Sequence, residues 1–278
     1  MPASSKSDRE TVALDTIRRT PDIITEFTGR GASTESIFYR DQIRPLPVLD
    51  PRDERSAAEI AVINSDSYTA ARNIIAESPD ARGKTAVLNL ASDEKPAGGW
   101  TKSLSRTQEE ALCYSSTLYT TLKPEYYPWP NLGPGSVAGV FSPGVVIFKD
   151  DLDHGCADLP AEDRCVVSVI TGAAPRHPEL TPDQTTFKNP SDLDDLRGKI
   201  RLVYRMAVHH AQEFLVLAAM GCGAYFCPPK LVASEMKSIL AEEEFRGRFR
   251  RIIFAIYSSN PTGAGNLEIF RQVFQGGD

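Results

Sequence analysis

Short apolar runs rich in β-branched residues alternate with amphipathic stretches from residue 83 onward. The runs are apolar on both faces, as strands buried between two layers of helices are. The predicted strands are Thr85–Ala91, Gly144–Lys149, Cys165–Gly172, Glu213–Gly221 and Arg251–Tyr257. The predicted helices are Gln108–Leu122, Asp192–Gln212, Pro229–Phe245 and Ala264–Phe274. This alternation predicts the α/β class, with a mixed sheet in a three-layer α/β/α domain.

The first 80 residues follow a different pattern, which is rich in helix and contains one strand. Helices are predicted at Asp8–Arg19 and Ser67–Glu77, with a strand at Ala58–Ile63 between them. We therefore predict a helical extension over residues 1–80 that packs on a core domain at 81–278. Within the core, Lys123–Pro143 is a long loop that contains Pro, Gly, Tyr and Trp. Loops of that length in compact domains usually have a function or move.

Charge and hydropathy exclude several classes of protein. The 278 residues include 31 basic and 37 acidic side chains, for a net charge of −6. A broad basic surface for non-specific DNA binding is therefore not expected, and no sequence-specific nucleic acid partner is predicted either. The sequence has no apolar stretch of about 20 residues and no signal-peptide pattern, which predicts an intracellular protein, cytoplasmic or nuclear, with no membrane partner.

The metal-binding residue types are few and scattered. Five cysteines form an odd set without a CxxC pair, which favours reduced thiols over a disulfide framework. Of the four histidines, two are adjacent and two are isolated, so no zinc site is predicted. Asp150, Asp151 and Asp153 follow a predicted strand, and they form either an acid site or a solvated strand end.

Two strand ends carry candidate chemistry, because ligands of open α/β sheets bind beyond the carboxyl ends of the strands. After the first strand come Ala97-Gly98-Gly99 and then Gln108-Glu109-Glu110 at a helix start. Glycines let a backbone approach a ligand closely. Thr107-x-x-Glu110 matches a capping box, so the acidic residues also suit a plain helix start. A carboxyl beside such a loop is, however, what glycoside hydrolysis requires.

The second strand end contains Gly221-Cys222-Gly223-Ala224-Tyr225, and prolines then open the next helix. Backbone N–H groups at a glycine-rich turn before a helix suit a diphosphate. A tight strand-to-helix turn explains the same glycines without a ligand. Cys222 and Cys227 are interpreted as small apolar residues that line this loop rather than as redox groups.

A glycine triplet followed after six to eight residues by Gln-Glu-Glu resembles the signature of the poly(ADP-ribose) glycohydrolases. The resemblance is strongest to the microbial type, a macrodomain with a short N-terminal extension, and it covers residues from about 8 to 275. It implies hydrolysis of ribose–ribose O-glycosidic bonds in poly(ADP-ribose), with release of ADP-ribose from chain ends. It also implies a monomer that needs no cofactor or metal.

The resemblance assigns roles to individual residues. Glu110 would be the general acid and then the general base, and Glu109 would bind ribose hydroxyls. Gln108 would support the loop, Ser92 would contact the distal ribose, and Tyr225 would pack on that ribose. Together with these, the expected substrate-binding residues are Ala97, Gly98, Gly99, Gly221, Cys222, Gly223 and Ala224.

The sequence departs from the family pattern at Ala97, which replaces the first glycine of the triplet. We expect Ala97 to adopt a negative φ, with its methyl group directed away from the ligand. Two alternatives to the polymer hydrolase stay open. One is a mono-ADP-ribosyl hydrolase that acts on ADP-ribosylated macromolecules, and the other is a non-catalytic ADP-ribose reader.

Overall fold

The computed structural model describes residues 5–50, 55–259 and 265–276, which form one seven-stranded sheet between two helical layers. The strands are β1 (Ile37–Tyr39), β2 (Glu59–Ile63), β3 (Thr85–Leu90), β4 (Gly139–Ile147), β5 (Cys165–Gly172), β6 (Phe214–Leu217) and β7 (Arg251–Ala255). The helices are α1 (Lys6–Phe27), α2 (Ser67–Glu77), α3 (Gln108–Ser115), α4 (Pro190–His209), α5 (Pro229–Leu240) and α6 (Asn266–Gln275).

The strand order across the sheet is β1-β4-β5-β3-β6-β7-β2. From β5 to β2 all neighbours are parallel, whereas β4 is antiparallel to both β5 and β1. The sheet is therefore mixed. Its central strand, β3, ends in the loop that carries the first candidate site.

Successive side chains of each inner strand point to opposite faces of the sheet and enter different apolar clusters. In β3, Ala86 and Leu88 belong to the cluster covered by α4, α5 and α6, and Val87 belongs to the cluster covered by α1, α2 and α3. Burial on both faces explains the continuous apolar runs in the sequence. The predicted three-layer fold with an N-terminal helix is confirmed.

Several boundaries differ from the sequence prediction. Strand β1 was not predicted, so the expectation of one strand in the first 80 residues is wrong. Strand β4 starts at Gly139, which shortens the long loop to 123–138. Helix α1 extends to Phe27, and Ser5 and Asp8 form a reciprocal capping box at its start. Ala264, the first residue of the last predicted helix, lies outside the described residues.

Helix α3 is shorter than predicted because small polar side chains end it. The Ser116 hydroxyl donates to Leu112 O at 2.7 Å and accepts from the Leu118 N–H at 3.1 Å. Such side-chain bonds compete with the helical backbone pattern. The chain then turns into a 3₁₀ segment at Leu118–Thr120 instead of continuing to Leu122.

Helix α1 supports α3 from outside the sheet. The Thr16 hydroxyl donates to Tyr114 O at 2.7 Å, and Arg9 Nε donates to Leu104 O at 2.6 Å. The N-terminal helix therefore fixes both the candidate catalytic helix and the loop before it. Because β1 and β2 belong to the same sheet as the later strands, the division at residue 80 stays a prediction.

None of the helices in the described ranges combines the length and the apolar character that crossing a membrane requires.

Candidate active site

The structure brings the two predicted strand ends together, since β3 and β6 are neighbours in the sheet. The Tyr225 hydroxyl, from the loop after β6, lies 3.4 Å from Ala91 O and 3.3 Å from Asp93 Oδ1 in the loop after β3. Burial, followed by the nearby Asp93 carboxylate, raises the pKa of Tyr225 to about 12. A neutral phenol therefore joins the two loops.

The Glu110 carboxyl is held by the glycine loop and by the Thr107 side chain at the start of α3, and not by the helix backbone. Its Oε1 accepts the Gly99 N–H at 2.9 Å, and its Oε2 accepts a hydrogen bond from the Thr107 hydroxyl. Thr107 makes no side-chain bond to the helix backbone. The predicted capping box is therefore wrong, because both of its side chains turn toward each other and the glycine loop.

Glu109 is more enclosed and is 3% exposed. Its Oε2 accepts the Ser92 N–H at 2.9 Å, and its Oε1 lies 3.4 Å from Asn89 Nδ2. Burial raises the pKa of Glu109 to about 8, and the Glu110 carboxylate contributes to this shift, while the Ser92 and Asn89 hydrogen bonds oppose it. Glu109 is thus protonated over much of the neutral range.

At Gly98 the loop backbone passes close to both carboxyl groups. Gly98 has a φ of +54°, and an added Cβ would lie 2.5 Å from Glu110 Oε1 and 2.9 Å from Glu109 Oε2. The backbone conformation therefore favours glycine here, and the short distances to both carboxyl groups exclude a side chain unless the carboxyl groups move. At Gly99, an added Cβ would collide with the Ser103 hydroxyl.

Ala97 adopts a φ of +60°, so the expected negative φ is wrong. The residue keeps the left-handed conformation that a glycine adopts easily. Its methyl group is buried in the apolar cluster that includes Trp100 and packs against Tyr119. Burial of the methyl group in this cluster offsets part of the backbone strain.

Gln108 braces the end of β3. Its Oε1 accepts the Leu90 N–H at 2.8 Å, and its Nε2 donates to Leu88 O at 2.7 Å. Strand β6 pairs with β3 only over Thr85–Val87. Beyond Val87, the Gln108 side chain makes the hydrogen bonds to the β3 backbone that a neighbouring strand would otherwise make. Its amide is therefore occupied by protein, in agreement with a supporting role.

Ser92 also has partners within its own turn. Its hydroxyl accepts the N–H groups of Glu94 and Lys95 at 3.1 and 3.3 Å. The turn directs the Ser92 N–H to Glu109. Contact between Ser92 and a distal ribose stays a prediction.

The loop after β6 presents free backbone amides. Gly223 and Ala224 are exposed, and within the described ranges the N–H groups of Gly223, Ala224 and Tyr225 have no hydrogen-bond acceptor. An added Cβ at Gly223 would meet nothing within 4 Å. Three consecutive free amides in an open loop are hydrogen-bond donors of the kind that bind anions in proteins.

Gly221 has a structural role in this loop. Its φ is +76°, and an added Cβ would lie 2.5 Å from the Ala174 methyl group and 2.7 Å from Cys227 Sγ. Burial raises the pKa of the Cys227 thiol to about 12 and that of Cys222 well above its ordinary value. Neither thiol is activated, which suits the interpretation of both as small apolar residues that line the loop.

Several residues near the site were not singled out in the sequence. Asn89, the second-to-last residue of β3, is 0% exposed, and a lone amide in the apolar run TAVLNLA was a usable signal. Asp93 is buried and pairs with Arg176 at 2.6 Å. No local pattern marks Asp93, because its importance comes from partners more than 80 residues away.

The 123–138 loop forms one wall of the site. The Trp129 N–H donates to Asp93 O at 3.1 Å, and Asn131 accepts the Arg176 N–H at 2.7 Å. Trp129 packs with Ala173, next to the ring of Tyr127. The loop is therefore fixed to the ends of both β3 and β5.

This arrangement defines an α/β/α domain with two buried carboxyl groups at one strand end and a loop with three free backbone amides at the neighbouring strand end. The family model described as "Microbial-type PARG, catalytic domain" matches residues 28–150. A comparison with curated protein sequences found no match.

Solved structures give a closer comparison. The poly(ADP-ribose) glycohydrolase from Deinococcus radiodurans, in complex with ADP-ribose, is 30% identical, with 81% of this chain and 87% of that chain covered and a TM-score of 0.67. The enzyme of the same name from Thermomonospora curvata is 27% identical, with 96% and 99% covered and a TM-score of 0.74. Its complex with the inhibitor ADP-HPD is 26% identical over the same shares, with a TM-score of 0.71. The chain belongs to the microbial-type poly(ADP-ribose) glycohydrolase family.

Proposed function

We propose that this protein hydrolyses the ribose–ribose O-glycosidic bonds of poly(ADP-ribose) and releases ADP-ribose. One observation carries the proposal: two buried carboxyl groups after β3 and a loop with three free backbone amides after β6 lie at the ends of neighbouring strands, and the Tyr225 hydroxyl joins the two loops. The carboxyl groups suit glycosidic bond cleavage, and the amides suit the diphosphate of the same substrate. The D. radiodurans relative with ADP-ribose bound supports ADP-ribose as the ligand and product.

Glu110 is the proposed acid. Its proton passes to the leaving ribose oxygen as the glycosidic C–O bond breaks, and an oxocarbenium-like centre forms. Water then attacks this centre and returns a proton to the Glu110 carboxylate. The bonds from the Gly99 N–H and the Thr107 hydroxyl fix the orientation of that carboxyl group.

Glu109 has a different proposed role. Adjacent residues of a helix point about 100° apart, so the two glutamates face different parts of a bound substrate. The raised pKa of Glu109 makes it a hydrogen-bond donor as well as an acceptor near neutral pH. Glu109 therefore suits ribose hydroxyls, which need both kinds of partner.

The remaining substrate contacts are distributed over both loops. Gly98 and Gly99 admit the ribose, and the amides of Gly223, Ala224 and Tyr225 bind the diphosphate. Tyr225 packs on the distal ribose. The wall formed by the 123–138 loop favours binding of a terminal unit and hence cleavage from chain ends. A monomeric state and an intracellular location complete the proposal.

The test incubates the purified protein with poly(ADP-ribose) and, separately, with a mono-ADP-ribosylated protein, and follows products by chromatography. We expect free ADP-ribose from the polymer, with few intermediate oligomers at early times. Release from the modified protein alone would assign the mono-ADP-ribosyl hydrolase instead. Binding of ADP-ribose without any hydrolysis would assign a reader.

A further inference from the structure

Two polar atoms near Glu109 are buried without a hydrogen-bond partner. They are the Tyr127 hydroxyl and Asn89 Oδ1. A buried polar group without a partner costs about 1–3 kcal/mol. A phenylalanine at position 127 would provide the same packing without this cost, so the hydroxyl calls for an explanation outside the folding of the free protein.

The position of Tyr127 places it at the site. It belongs to the 123–138 loop, and its ring centroid lies 4.8 Å from that of Trp129. It packs against both apolar clusters that meet there, one containing Ala97 and Cys113 and the other containing Ala173. The ring is therefore held from several sides, which fixes the hydroxyl in one place.

The phenol lies near helix α3, because Tyr127 packs against the apolar cluster that contains Cys113. Burial, and then the charges of Glu109 and Cys113, raise the pKa of Tyr127 well above its ordinary value. Glu109 and Cys113 are four residues apart on α3 and so lie on one face of that helix. Asn89 Nδ2 lies 3.4 Å from Oε1 of Glu109 on this helix.

We propose that the Tyr127 hydroxyl positions the substrate by hydrogen-bonding the ribose that binds at Glu109, and that Asn89 Oδ1 accepts from the same sugar. The inference rests on the proposed function. A ribose carries adjacent hydroxyl groups that donate and accept, so it satisfies a phenol and an amide oxygen together. Tyr127 would thus be a ribose-specificity residue supplied by the loop.

The experiment compares Tyr127→Phe with the wild type in three measurements. Calorimetry gives the affinity for ADP-ribose and for ADP, which lacks the terminal ribose. Steady-state kinetics on poly(ADP-ribose) give kcat and KM, and urea unfolding gives stability. We expect the affinity for ADP-ribose and kcat/KM to fall roughly five- to tenfold, as loss of one hydrogen bond predicts, while the affinity for ADP and the stability do not fall.

Tyr126→Phe is the matched control, because the adjacent hydroxyl has protein partners. It lies 3.2 Å from both the backbone oxygen and the hydroxyl of Ser36. Its loss should lower stability and leave the affinity for ADP-ribose unchanged. The two variants thus have opposite expected effects.

Unchanged affinity for ADP-ribose in Tyr127→Phe, or an equal loss for ADP, would overturn the inference. A clear loss of stability would also overturn it, because the hydroxyl would then have a partner in the free protein. Failure of the proposed function looks different: the wild type would bind ADP-ribose in a Tyr127-dependent way but would not cleave the polymer.

Discussion

Two groups of acidic side chains, one on α3 and one in a loop that contacts α2, have opposite electrostatic surroundings. Glu109 and Glu110 on α3 are both buried, and within the described part of the chain neither has a cationic partner. Asp150 and Asp151, in the loop after β4, pair with Arg72 at 2.7 Å and with His154 at 2.7 Å. Their ionisation is therefore compensated within the protein.

The pKa values follow the same division. Burial raises the pKa of Glu109, whereas at Asp151 the hydrogen bonds from His154 and Thr69 outweigh burial and lower the pKa. Asp150, Asp151 and His154 each have an atom that could coordinate a metal ion, and these atoms lie within 4.8 Å of one another. The negative charges of the two aspartates are already offset by Arg72 and His154. The aspartates that stabilise the fold have cationic partners in it, whereas the two glutamates proposed to act on the substrate have only hydrogen-bond donors as partners.

The largest effect short of removing a carboxyl group is expected from Gly98→Ala. The new methyl group would lie 2.5 Å from Glu110 Oε1, so the acid must move. A displacement of about 1 Å at a reacting group costs on the order of 100-fold in rate. Kinetics on poly(ADP-ribose) measure this loss.

Gly83→Ala is the control for Gly98→Ala. Gly83 has a φ of +73° and open space around its added Cβ. Both substitutions therefore carry the same left-handed backbone cost of about 1–2 kcal/mol. If both variants lost activity equally, the contact with the carboxyl groups would not be the cause.

A second effect concerns the loop after β6, which is the proposed diphosphate site. Gly223→Val should weaken ADP-ribose binding about tenfold or more, because the side chain would occupy the space in front of the free amides, and tenfold corresponds to about 1.4 kcal/mol. Calorimetry measures the affinity. Gly29→Val, which also adds a side chain in open space but away from the site, should leave it unchanged. Equal affinities in the two variants would place the diphosphate elsewhere.

The opposite pKa shifts predict opposite effects on stability. The unfolded Glu109 ionises above about pH 4.5, whereas the folded one stays protonated until about pH 8. The contribution of Glu109 to the free energy of unfolding is therefore fully present below pH 4.5 and is lost as the pH rises to about 8. Urea unfolding at pH 5 and pH 8 should show a smaller pH-dependent loss for Glu109→Gln than for the wild type.

Asp151→Asn is the counterpart of that variant. Because the folded pKa of Asp151 is lowered, its contribution is present above the ordinary carboxyl pKa and is lost at lower pH. Asp151→Asn should therefore be less stable than the wild type at pH 7. If Glu109→Gln and Asp151→Asn shifted the free energy of unfolding in the same direction at pH 7, the proposed difference between the two acidic regions would be wrong.

The smallest effect is expected from Ala97→Gly. Relief of a left-handed alanine favours the variant by about 1–2 kcal/mol, while the lost methyl burial, about 0.8 kcal/mol, and the added entropy of the unfolded chain, about 0.4–1 kcal/mol, oppose it. The net change in the free energy of unfolding should stay within about 1 kcal/mol. A gain in kcat/KM above roughly tenfold on polymer alone would show that the methyl group obstructs the substrate.

The sequence predicted the parts of the site that depend on local patterns. The start of α3 at Gln108 and the whole of α2 follow from helical periodicity, and both site loops follow strands with a clear apolar pattern. The predicted end of α3 was wrong, because the hydrogen bonds of the Ser116 hydroxyl end the helix although the apolar pattern continues. The predicted φ of Ala97 was also wrong. Alanine alone prefers a negative φ, but here the residue has a positive φ with its methyl group buried in an apolar cluster.

Other parts of the site could not be predicted because they depend on contacts between distant segments. Asp93 becomes significant only when Arg176 and Tyr225 fold against it. Tyr127 becomes significant only when its loop reaches α3. Three-residue strand β1 was missed because its pairing with β4, and not its length or composition, makes it a strand.

The most direct measurement of the central claim is the rate of ADP-ribose release from poly(ADP-ribose) by Glu110→Gln and by Asp151→Asn, beside the wild type. Glutamine keeps the shape of Glu110 but has no transferable proton, so turnover should fall by about 10²–10⁴-fold while calorimetry shows ADP-ribose still bound. Asp151→Asn should keep the turnover of the wild type. Near-native turnover in Glu110→Gln, or an equal loss in Asp151→Asn, would contradict the assignment of the unpaired carboxyl group as the acid.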